Sequence, residues 1–116
     1  MRVAALWLSF LIAGCGESGA PALGGDPERG KLLLRQFACG SCHSIPGVAN
    51  ASGKVGPPLE GIAKRVYLAG VLPNTPENMA AFIQEPAAFA PRTAMPDMKV
   101  TQPHARDMVA YLYTLK

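Results

Sequence analysis

The chain has 116 residues, enough for one small domain. Charged residues make up 16% of it and the net charge is only +3, too mild a balance to argue for nucleic acid as a partner. No internal repeat or long charge run divides it, and the apolar fraction of 49% is inflated by a single run at the N-terminus.

That run begins after Arg2 and covers Val3 to Ala13. It is too short to span a bilayer, which takes about 20 apolar residues. It has the length of a signal-peptide core. Ile12-Ala13-Gly14-Cys15 resembles the bacterial lipoprotein cleavage box, which implies cleavage after residue 14 and a lipid on Cys15. The alternative is an ordinary secretory peptide cut at Ala13, Gly14 or Ala20. An unpaired Cys15 outside the cytoplasm would then be a liability, which favours the lipoprotein. Residues 15–25 are rich in Gly, Ala and Ser and are expected to form a flexible tether. A terminus carrying more than one acyl chain would hold the protein to a membrane on its periplasmic side.

Asp26-Pro27-Glu28 is a helix start, with a capping carboxylate, a proline suited to the first turn and an acid at the positive end of the dipole. The helix is predicted to reach about Ala38, with Leu33, Leu34 and Phe37 on one face. It delivers Cys39-Gly40-Ser41-Cys42-His43, the Cys-x-x-Cys-His spacing by which two thiols bind a haem through its vinyl groups. The adjacent His43 then needs little freedom to reach the iron. A redox dithiol is the first alternative, but it calls for an alternating strand and helix pattern that the chain lacks. Zinc is the second. Four ligands would have to come from Cys39, Cys42, His43 and His104, yet His43 directly follows Cys42 and His104 is remote. With Cys15 lipidated and the other two thiols on haem, no cysteine is left for a disulfide.

A loop, residues 44–58, follows. Leu59, Ile62, Ala63 and Val66 repeat at helical spacing and predict a short second helix, and residues 67–74 read as another loop. Thr75-Pro76-Glu77 repeats the cap signal, with Met79, Phe82 and Ile83 as the apolar stripe and Pro86 as the stop. Residues 87–100 hold Pro91 and Pro96 and are expected to be irregular. Thr101 caps a last helix whose buried face is Ala105, Met108, Val109, Leu112 and Leu115. No segment alternates like a strand, so the domain is read as all-α, about four short helices joined by long loops. Met79 and Met108 fall on helix faces and suit a core. Met95 and Met98, in the proline-rich loop, remain as candidate second ligands to iron, with His104 a poorer one.

The set formed by Cys39–His43, Gly56-Pro57-Pro58-Leu59, the Pro86 to Met95 loop with its Pro91-x-Thr93-x-Met95, and a last helix carrying Tyr111 resembles class I cytochrome c, the single-haem electron carriers. The resemblance covers residues 26–116 and implies the cytochrome c fold, wrapped around one covalent haem c. It implies His43 and Met95 as the axial ligands, with Met98 the runner-up, and the Pro57 carbonyl as acceptor from His43, with Pro58 beside it. It implies Arg65 on a haem propionate, Thr93 and Tyr67 at the haem edge, and Gly30 packed against Tyr111. The function it implies is electron transport with no bond made in a substrate, and no nucleophile–base pair or carboxylate dyad argues otherwise. Its expected partners are a quinol–cytochrome c reductase upstream and a haem–copper terminal oxidase or other reductase downstream. Lys54, Lys64, Arg65, Arg92 and Lys99 flank the haem-binding segments and would steer acidic partners. Two other readings stay open: an electron-entry subunit of a larger membrane oxidoreductase, and a haem sensor or peroxidase in which Met95 is displaced.

Mass spectrometry of the membrane fraction is expected to find a lipid-modified terminus at Cys15. A soluble mature chain starting after Cys15 would reject the anchor.

Overall fold

The computed structural model describes residues 19–116. The expected signal 1–14, the lipidated Cys15 and the first part of the tether lie outside the described residues.

Four α-helices form the domain: α1 (Pro27–Gln36), α2 (Pro76–Gln84), α3 (Pro86–Phe89) and α4 (Gln102–Leu112). The caps read from sequence are in place. Asp26 accepts from the backbone N–H of Glu28 and Arg29 at 3.0 and 3.2 Å, Thr75 from Asn78 at 3.1 Å, and Thr101 from His104 at 3.4 Å. Each satisfies donors that the first helical turn leaves without a partner. Helix α1 stops two residues short of the expected end, because Ala38 adopts a left-handed backbone (φ 55°) that turns the chain into Cys39.

Helices α1 and α4 cross at close range and make the centre of the core. Leu33 and Leu34 meet Ala105, Met108 and Val109, the last three wholly buried. The approach needs a missing side chain at Gly30. A Cβ there would run into the carbonyl of Asp107 and sit 3.0 Å from the Met108 nitrogen. The expected partner of Gly30 was Tyr111. The contact falls one turn earlier, on the α4 backbone, and Tyr111 instead donates its hydroxyl to the Pro46 carbonyl at 2.5 Å, tying the 44–58 loop to α4. Asp107, a buried carboxylate, accepts the Asp26 N–H at 2.8 Å and lies 3.5 Å from the Arg29 guanidinium. It fastens the start of α1 to α4, joining parts of the chain far apart in sequence. Residues Ala22–Gly24, expected as the end of the tether, form a 3-10 turn with Ala22 and Leu23 packed on the core.

Three expectations are corrected. The helix predicted over 59–66 is only a 3-10 turn, Ile62–Lys64. Gly61 takes a left-handed backbone (φ 66°) and Arg65 is extended, so no helix passes through, and Val66 is 75% exposed. Residues 67–74 are not loop alone. Tyr67–Leu68 (β1) pairs antiparallel with Leu72–Pro73 (β2) across a turn in which Ala69 and Gly70 both have positive φ, the primed turn that suits a tight hairpin. Two-residue strands are too short to alternate, which is why the pattern is silent. The fold is thus helical with one small ribbon. Lastly, Pro86 ends α2 but also opens the single turn of α3, since its fixed φ suits a first helical position. Residues 91–100 are irregular, as expected.

Gly30→Ala is expected to lower the unfolding free energy by about 3 kcal/mol, because two helix backbones must separate to admit the methyl group. Chemical denaturation measures it.

Candidate functional site

Residues Cys39–Ser41 coil as a 3-10 turn directly after α1, and the amides of Cys42 and His43 both donate to the Cys39 carbonyl, at 3.2 and 3.0 Å. Three-residue spacing in such a turn brings the Cys39 and Cys42 side chains to one side. Both side chains are half-buried. Burial, and to a smaller extent the neighbouring Cys42, pushes the Cys39 thiol above its ordinary range.

The 44–58 loop returns onto this turn. Ser44 bridges to Ser52, the Gly53 amide donates to the Gly40 carbonyl at 3.0 Å, the Gly56 amide to Cys42 at 2.7 Å, and the Leu59 amide to Ser44 at 2.8 Å. Close approach demands glycine at two of these places. A Cβ at Gly40 would meet the Ala51 backbone at 2.6 Å, and one at Gly56 would lie 2.7 Å from Nδ1 and 2.9 Å from Nε2 of His43. Gly56 is therefore the floor on which the imidazole rests.

His43 Nδ1 lies 2.7 Å from the Pro57 carbonyl, not that of Pro58. A carbonyl only accepts, so Nδ1 carries the proton and Nε2 keeps its lone pair. This is the tautomer a metal ligand needs, and the hydrogen bond raises its basicity.

On the other side of the sequence, Met95 is half-buried in the irregular 91–100 segment, while Met98 is 40% exposed. The Met95 amide donates to Thr93 Oγ1 at 3.1 Å, so Thr93 shapes the turn that presents the methionine. Asp97 closes the next turn by accepting from the Lys99 amide at 2.8 Å and from its ammonium at 3.2 Å. The first of these bonds above all holds the Asp97 carboxyl below its usual range. Arg65 is half-buried and donates to the Pro58 carbonyl. Tyr67 stands in β1 with its side chain exposed. His104 packs its ring edge-on against Phe37, centroids 5.8 Å apart, in the first turn of α4.

The donor set fits a haem held by two thioethers: two thiols on one turn, an imidazole with Nε2 available, and a soft thioether on a separate loop. Val55 beside Gly56 and Met98 beyond Met95 are apolar side chains facing outward on the segments that carry the two candidate ligands, at 75% and 40% exposure. No group of His, Cys, Asp and Glu among the described residues forms a metal cluster of another kind.

The roles of several participants were not legible in the sequence. Gly56 was visible as part of a motif but not as the surface under His43. Asn74 and Pro46 gave no signal, because their partners are distant backbone carbonyls and tyrosine hydroxyls.

Comparison with known proteins agrees with this geometry. A family model described as cytochrome c matches residues 27–116. Cytochrome c oxidase subunit 2 of Alkalihalophilus pseudofirmus is 31% identical over 92 residues, 77% of this chain. The match takes in 25% of that protein, so the chain spans about a quarter of its relative's length. The crystal structure of cytochrome c2 from Rhodobacter sphaeroides superposes with a TM-score of 0.54, at 21% identity, covering 78% of this chain and 96% of the other. That likeness speaks to the fold.

Met95→Ala is expected to abolish the weak red absorption band of a thioether bound to ferric haem, while Met98→Ala retains it. The reverse result moves the ligand to Met98.

Proposed function

The chain belongs to the cytochrome c family and carries one covalently bound haem c, and from that premise we propose that it is a membrane-tethered electron carrier working between respiratory complexes. The observation that carries the reading is the hydrogen bond from His43 Nδ1 to Pro57, which leaves Nε2 ready for iron. The bound haem supplies a one-electron ferrous–ferric couple.

The chain's own residues set how that couple behaves. Cys39 and Cys42 fix the ring to the turn after α1. The Pro57 carbonyl makes His43 a stronger donor, which favours the ferric state. Met95, positioned by Thr93, offers a soft thioether that favours the ferrous state and raises the potential. His43 and Met95 would together hold the iron through side chains, which would leave little room for gases or peroxide and would suit electron transfer rather than catalysis on a substrate. Arg65 and Tyr67 would offer a guanidinium and a phenol to the haem propionates.

Lys54, Lys64 and Arg92 are exposed and form no ion pair among the described residues, whereas Lys99 is paired with Asp97. The unpaired three favour docking to acidic surfaces. A quinol–cytochrome c reductase as donor and a haem–copper oxidase or another terminal reductase as acceptor suit this charge. The lipoprotein-type box at Cys15 supports attachment to a membrane on the periplasmic side. A second reading, an electron-entry subunit of a larger membrane oxidoreductase, draws on the likeness to a quarter of an oxidase subunit.

Reduced protein is expected to refuse carbon monoxide, and its oxidation by a membrane oxidase preparation is expected to slow as ionic strength rises. Fast, complete carbon monoxide binding would transfer the protein to the sensor or peroxidase class. Co-purification with an oxidase would favour the subunit reading.

A further inference from the structure

Two consecutive prolines, Pro57 and Pro58, follow Gly56, and neither has an N–H. The segment that orients His43 can therefore be held along its middle only through its carbonyl oxygens. Both are engaged: Pro57 accepts from His43, and Pro58 accepts from the Arg65 guanidinium. Adjacent carbonyls are thus each fixed by a side chain, one by the ligand and one by a permanently charged donor.

Arg65 is in turn held by Asn74. The Asn74 side-chain amide donates to the Arg65 carbonyl at 2.8 Å and to the Ile62 carbonyl at 2.9 Å, while its oxygen accepts from the Tyr113 hydroxyl at 2.6 Å. Only this orientation of the amide works, since the flipped one would set its oxygen against two carbonyls. The Asn74 backbone N–H also donates to Val66 at 2.9 Å. Burial and, secondarily, Glu77 push the Tyr113 phenol above its usual range. One small side chain so closes the 62–66 turn onto the end of α4.

The geometry points to Asn74 as a positioning residue for the proximal ligand, acting through Arg65 and the Pro57–Pro58 pair on the hydrogen bond that His43 donates. It rests on the haem reading above. Arg65 gains a role distinct from a partner of the haem propionate: it braces the backbone that sets the basicity of the imidazole.

The test uses holoprotein variants Asn74→Ala, Arg65→Lys and Tyr113→Phe, with the helix-cap variant Thr101→Ala as a stability control. Two quantities are read besides melting temperature: the midpoint potential by spectroelectrochemistry, and the exchange rate of the His43 ring N–H by NMR. Asn74→Ala is expected to weaken the Pro57 bond. The potential then rises, so that at the wild-type midpoint the ferrous-to-ferric ratio increases about threefold, and the ring N–H exchanges faster. Arg65→Lys keeps the charge but loses the planar fork, and it shifts both quantities the same way. Tyr113→Phe shifts them less. Thr101→Ala lowers the melting temperature and moves neither. If Asn74→Ala behaves like Thr101→Ala, the residue is structural only and the proposal falls. If Asn74→Ala yields no folded holoprotein, Tyr113→Phe decides by the same criterion. Wild-type protein without covalent haem would instead sink the underlying reading, independently of any variant.

Discussion

The hydrogen bond between His43 and the Pro57 carbonyl is the contact around which the domain is arranged. It selects one imidazole tautomer, and it does so with a backbone oxygen whose position is set by the chain on both sides. Gly56 and Leu59 are tied back to Cys42 and Ser44, so the acceptor cannot drift from the donor. The loop that supplies it is long and almost without regular structure, a form that ordinary small domains avoid. Here its amides are spent on the turn that carries the thiols, so its irregularity is compatible with rigidity.

The helices supply the frame. Crossing of α1 and α4 at Gly30 brings the N-terminal and C-terminal parts into one core, and Tyr111 extends that frame to the loop through Pro46. Asp107 shows how a buried carboxylate is tolerated: it faces a backbone N–H and a guanidinium together. The ribbon and the 62–66 turn fill the remaining side, where Asn74 joins them to α4. The two candidate iron ligands thus come from segments of different character. One is fastened by many backbone bonds, while the other, at Met95, is shaped by a local turn through Thr93.

Much of this was legible in the sequence, for physical reasons that differ by element. The starts of α1, α2 and α4 were readable because caps and first-turn prolines act locally, over three or four residues. The Cys39–His43 motif was readable because covalent attachment imposes its spacing. The segment at 59–66 misled, since Leu59, Ile62, Ala63 and Val66 mimic a helical stripe while Gly61 adopts a backbone that a helix cannot contain. Gly30 and Tyr111 were correctly placed on facing helices but wrongly paired, because composition does not fix how far one helix slides along another. The grip of Arg65 on Pro58 could not be foreseen, as a carbonyl acceptor leaves no trace in residue identity.

The bond from the Asp26 amide to Asp107 joins positions 81 residues apart. Helix α1 has ten residues, too few to persist alone in water, and it gains its partner only when almost the whole chain has emerged. Until α4 has been made, Cys39 and Cys42 therefore follow a helix that lacks its packing partner. The late arrival of α4 then closes the crossing at Gly30. Closure of the core has an order built into it: the helix that leads into the thiol-bearing turn waits for the far end of the chain.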